Sequence, residues 1–251
     1  MSNRNDTKND KGLGKRLKQL LPSKVFSVLR ALFNRVMAAV PYSIKYGFAT
    51  RVRRAKYPYK VIKDGDVVVQ VGAPKDILLA GRSRAINFLR LVGRGTTVVV
   101  EPDETNCRAL KALVEKKNVG GRLVLCQKGA WSSKGKLQFL SNPDHPATNI
   151  LQVLYDDKGD APEDAYSGSE VPVDTLDNIL ADTGVSQPKL ISITANGAEP
   201  EILKGLSQTL SSGVPYISLA VTGKGYVELM ADLNYELIAY DDRGFTFELR
   251  G

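Results

Sequence analysis

Short apolar runs closed by polar turns recur along this chain at the spacing of an alternating β/α domain. VVVQVG at 67–72 and VVVEPDETN at 98–106 are the clearest, and residues between them at 77–92 carry helical periodicity. The same reading predicts strands at 67–71 and 96–100, then a helix at 104–117 with Asp103 as its N-cap. Strands follow near 122–126 and 136–140. Residues 141–170 are rich in Asp, Pro and Gly without a period, and a loop that long in a compact domain is functional or mobile. Beyond it come a helix at 175–182, a strand at 189–194, a helix at 199–210, a strand at 215–221 and a helix at 225–233. Tyr235–Tyr240 and Phe245–Leu249, joined by DDRG, read as a hairpin. The sum is an α/β fold: a doubly wound, mostly parallel sheet with a C-terminal antiparallel edge. The strands at 67–71 and 189–194 are expected to be central neighbours.

Charge divides the chain. Its 251 residues carry a formal +8, but residues 1–60 hold fifteen Lys or Arg against Asp6 and Asp10, a net +13, which leaves −5 for the rest. We therefore expect a basic, partly helical extension at 1–60 and a single globular domain at 61–251. A mildly acidic domain argues against a nucleic-acid-binding core, so nucleic acid is not the expected partner. In KVFSVLRALFNRVMAAV, positions Val25, Val28, Leu29, Leu32 and Val36 fall at helical spacing, but Arg30, Asn34 and Arg35 make the segment too short and charged to span a bilayer. Two readings stand side by side. One is an amphipathic helix packed on the domain. The other is an interfacial helix, with residues 13–56, including Arg51, Arg53, Arg54 and Lys56, meeting an anionic membrane. Cys107 and Cys126, with His145 the one histidine, offer no zinc-type spacing and suggest no disulfide framework, which suits a reducing cytoplasm, with the chain peripheral to a membrane on the second reading.

In parallel sheets ligands bind beyond the carboxyl ends of the strands. That expectation gathers Gln70–Asp76, Glu101–Asn106, Lys128–Trp131 and Ser192–Glu199. Gly72 suits a close backbone approach or a plain tight turn. Glu101, ending a strand, suits ribose hydroxyls or, alternatively, a helix N-terminus; Glu199 suits a substrate contact or the same helix-end role. Arg82 and Arg84 offer fork-like carboxylate binding, against the commoner solvated helix face. His145 is the candidate general base, against an ordinary surface histidine. Trp131 is a pocket wall or simple packing.

VPVDTLDNIL and PKLISITANGAEPEILKGL, preceded in order by EPDETN and GAWSSKGKLQF, resemble the FkbM-like branch of the class I S-adenosylmethionine-dependent methyltransferases. The resemblance covers roughly Asp66–Leu219. It implies a Rossmann-like methyltransferase sheet and S-adenosylmethionine as cofactor. Gly72, with Gln70 and Asp76 in its loop, would pass beneath the methionine part; Glu101 would bond the ribose; Ala130 and Trp131 would line the adenine pocket. The 192–199 turn, with Thr194 and Asn196, would face the reacting centre. The chain departs from the family pattern at Gln70 (aspartate) and Asp76 (glycine), and at Ser192, Thr194 and Asn196 (lysine, aspartate, glutamate). The implied activity is O-methylation of a sugar hydroxyl or uronic carboxyl on a glycan or another sugar-containing small molecule. The alternative is a methyltransferase-like fold without catalysis, serving as a binding or assembly subunit at a membrane.

Overall fold

A computed structural model describes Val25, Val28, Leu29, Leu32, Val36 and residues 39–142, 146–156, 166–221, 223–240 and 244–251. The chain divides into two units, Met1–Val40 and Pro41–Gly251. In the first, Val25, Val28, Leu29, Leu32 and Val36 are helical and exposed. The second unit starts twenty residues ahead of the boundary expected at 61. Helix α1 (Tyr42–Arg53) belongs to it because the Tyr46 hydroxyl donates to Leu78 O at 2.7 Å and Thr50 bonds Asn87 at 3.0 Å, both buried.

The central sheet has seven strands in the order β10-β11-β9-β8-β1-β2-β3. They are β1 (Val67–Val71), β2 (Thr96–Val100), β3 (Arg122–Cys126), β8 (Leu190–Ile193), β9 (Tyr216–Leu219), β10 (Tyr235–Tyr240) and β11 (Phe245–Leu249). The first five are parallel, and β11 and β10 close the edge antiparallel. Strands buried on both faces must be apolar throughout, which is why VVVQV and TTVVV stood out. β1 pairs with β8 as expected.

Two expected helices are broken. The segment expected at 77–92 is α2 (Lys75–Leu79) and α3 (Arg84–Val92), parted at Gly81. Gly81 has φ +73°, and a Cβ there would lie 2.2 Å from Cγ of Lys45, whose Nζ donates to Leu79 O. Ser83 restarts the helix by accepting from the Ile86 N–H. The segment expected at 199–210 is α7 (Glu199–Lys204) and α8 (Ser207–Ser211), split at Gly205, where a Cβ would lie 2.1 Å from Trp131 O.

Helix α4 (Glu104–Lys117) follows β2 with Asp103 accepting from the Asn106 N–H, as expected of its cap. The stretch at 141–170, expected to be irregular, is partly strand. β5 (Gly135–Ser141) pairs along its whole length with β7 (Ser167–Asp174), and β4 (Gly129–Ala130) and β6 (Ile150–Leu151) complete a second sheet in the order β4-β7-β5-β6. Between β6 and β7 lies the short α5 (Gln152–Asp156); α6 (Leu176–Thr183) follows β7 and α9 (Lys224–Asp232) precedes the hairpin. The second sheet escaped detection because SGSEVPVD shows an apolar alternation only in its last residues. It caps the carboxyl ends of the central strands through Phe139, Asn149, Ile150 and Leu151.

Candidate binding cleft

A cavity of about 200 Å³ lies between the strand ends and this cap. Its walls come from Gln70–Pro74, Glu101, Asn106, Gly129, Ala130 and Thr194–Asn196, so the four expected segments do converge. Gly72 takes φ +84°, and a Cβ there would lie 2.2 Å from Thr194 O. The glycine is therefore required by the closeness of the β1 and β8 exits, quite apart from any ligand.

Glu101 is 4% exposed, and its carboxylate accepts from the Ala73 N–H (2.6 Å), the Asp103 N–H (3.0 Å) and the Asn106 side-chain amide (3.2 Å). Burial raises its pKa above the ordinary carboxylate value, and these three donors oppose that rise. Asn106 also accepts from the Lys75 N–H, tying α2 to α4 across the cleft.

From Gln70 on the cavity wall a polar row runs across the central sheet. Gln70, Ser192, Ser218 and Thr246 stand in register on β1, β8, β9 and β11, and all are buried. Arg84 lies over it, 3% exposed, and its Nη1 donates to Ser192 Oγ (2.9 Å) and Ser218 Oγ (3.0 Å). This corrects the solvated-face reading of Arg84: as the first residue of α3 it turns inward, because small hydroxyls on two strands leave room and acceptors for a guanidinium. The Gln70 amide donates to Val71 O, Gly72 O and Thr194 Oγ1, while its Oε1 is buried with no partner among the described residues.

Asn196, at φ +52°, donates from its side-chain amide to Ala147 O (2.9 Å) and Asn149 O (2.8 Å). Asn149 in turn donates to Asp103 Oδ2 and accepts from the Asn142 N–H. These bonds latch the cap over the cleft. Sequence reasoning missed Asn149 and Phe139 because their place depends on the β5–β7 pairing; ATN after the His-Pro pair was the available signal for a turn.

Other expected residues stand apart from the cavity wall. Glu199 is buried and spends its carboxylate on the N–H groups of Ala195 (3.1 Å) and Gly197 (2.8 Å), bracing the turn that carries Asn196. Asp76 sits in the first turn of α2 and accepts from the Ile77 N–H. Arg82 falls in the break between α2 and α3. Trp131 packs between the two sheets' cores, with Ala130 before it on the wall. His145 lies outside the described residues.

The profile of the methyltransferase FkbM domain family matches residues 70–243. No curated protein sequence matches. Among solved structures, methyltransferase FkbM from Methylobacillus flagellatus KT is 16% identical with a TM-score of 0.47, covering 90% of this chain. The chain spans 60% of that protein's length. Precorrin-6y C5,15-methyltransferase from Geobacter metallireducens GS-15 is 15% identical, TM-score 0.42, covering 79% of this chain and 87% of that one. The precorrin 8W decarboxylase of Methanobacterium thermoautotrophicum gives 14%, 0.41, 79% and 87% respectively.

Proposed function

Because the chain belongs to the methyltransferase FkbM domain family, we propose that it transfers a methyl group from S-adenosylmethionine to the carboxylate of a uronic residue on a sugar-bearing acceptor. The observation that carries this reading is the cleft lining: the Gln70 amide and the Thr194 hydroxyl, with Arg84 as the cation among them.

The residues present fit the cofactor. A carboxylate offers about four acceptor positions, and Glu101 uses three, which leaves one for a ribose hydroxyl. The buried Gln70 Oε1, at the position where the family pattern has an aspartate, would gain a partner from a ligand ammonium. When bound, S-adenosylmethionine supplies an electrophilic sulfonium methyl group. The chain's own part is then positioning and electrostatics. Arg84 favours an anionic acceptor, and a carboxylate, already charged, needs no base. The Asn196 latch excludes water by holding the cap down. A sugar hydroxyl is the competing acceptor; it needs a base, for which His145 is the candidate.

The test is incubation with S-adenosylmethionine and an oligouronide, beside the same oligosaccharide with its carboxyls reduced. We expect methyl gain on the first alone, released by mild alkali as an ester is. An alkali-stable ether on the reduced oligosaccharide would replace the carboxyl reading with the hydroxyl one. Calorimetric absence of binding by S-adenosylmethionine and its demethylated product would leave the non-catalytic binding subunit as the reading.

A further inference from the structure

Helix α1 turns a hydrophobic face to solvent. Ile44, Phe48 and Val52 recur every fourth residue and are 63%, 72% and 45% exposed. An apolar row of this kind on a helix that is otherwise well anchored calls for a partner. The opposite side of α1 is fixed: Tyr46 and Thr50 are buried and bonded, and Lys45 donates to Leu79 O at 2.8 Å. The face therefore cannot be hidden by rolling the helix.

Charge identifies the partner. Arg51, Arg54 and Lys56 are exposed around the C-terminal end of the row, and among the described residues no acid pairs with them. From Lys11 to Lys63 the sequence contains no Asp or Glu. An apolar stripe bordered by guanidinium and ammonium groups matches the boundary of an anionic bilayer, where rings and alkyl chains enter the acyl region and the cations meet phosphate. We infer that α1 docks the protein on anionic membranes through Ile44, Phe48 and Val52. The same helix packs on α2, whose Ile77 lines the cleft with Pro74, so docking sets the cleft close to the lipid surface. The surface does not depend on methyl transfer.

The test is flotation of the full chain with vesicles of phosphatidylcholine, alone and mixed with phosphatidylglycerol in equal parts, without cofactor. We expect binding to the mixed vesicles only, weakened by salt. Phe48→Glu should weaken it about tenfold or more with an unchanged melting temperature, since the side chain makes no buried contact. Phe48→Trp, with the wild-type Trp131 signal subtracted, should shift its emission to the blue on the mixed vesicles. Wild-type binding by both Phe48→Glu and Ile44→Glu would overturn the inference and pass any membrane affinity to residues 1–40. So would failure of the full chain to bind, or a dimer in gel filtration that Phe48→Glu dissociates, which would make a second copy the occupant.

Discussion

Glu101 shows how one side chain ties strand, helix and cleft together. It holds the backbone of Ala73 and Asp103 and the amide of Asn106, yet keeps acceptor capacity toward the cavity. Removing it as Glu101→Ala should weaken S-adenosylmethionine binding by about 1.5–3 kcal/mol for each bond lost to a charged group, measured by calorimetry. Because its pKa is raised by burial, the ionised form predominates only above that raised value, so affinity should fall as pH drops through it. Stability runs the other way: the folded state keeps this proton at a higher pH than the unfolded chain, so the group's contribution declines as pH rises across that window. Glu101 was legible because it closes a β-branched strand. The burial of Arg84 was not, since its acceptors Ser192 and Ser218 lie 108 and 134 residues away and only the sheet register unites them.

At the scale of elements, the breaks are set by close approaches of distant segments, the Lys45 side chain at Gly81 and the Trp131 backbone at Gly205. Gly205 has an unremarkable φ of −79°, so Gly205→Ala meets no backbone strain, only the carbonyl of Trp131 at 2.1 Å. It should cost about 1–3 kcal/mol by overpacking, seen as a lower melting temperature, as α7 moves off the Trp131 strand exit. The junction of β7 and α6 depends on charge instead. Burial alone would raise the pKa of Asp174, but the Asn178 amide, the Thr175 N–H and Lys128 outweigh it and hold it below the usual value. Its stabilisation is thus complete above the unfolded carboxyl pKa and is lost as pH falls through the depressed one. Asp174→Asn should lower the melting temperature at neutral pH, with the gap to wild type closing in acid. Neither glycine break was visible in the periodicity, because the obstructing atoms belong to segments distant in sequence.

At the scale of the whole molecule, the parallel sheet was legible since buried parallel strands must be apolar and alternate with amphipathic helices. The cap was not, because β7 is mostly exposed and its identity as a strand comes from pairing with β5. Among the described residues no helix is long and apolar enough to cross a membrane. The family match opens at Gln70, inside β1, whereas the packed unit opens at Pro41. A gene fragment excised at the family boundary would therefore sever β1 and delete the helix that buries Tyr46, Thr50 and Asn87. Expressed alone, such a fragment should be recovered in inclusion bodies. One starting at Pro41 should elute from gel filtration as a folded species with a cooperative melt. The helix that meets solvent on one side is thus, on its other side, an obligatory part of the smallest piece of this protein that can be made by itself.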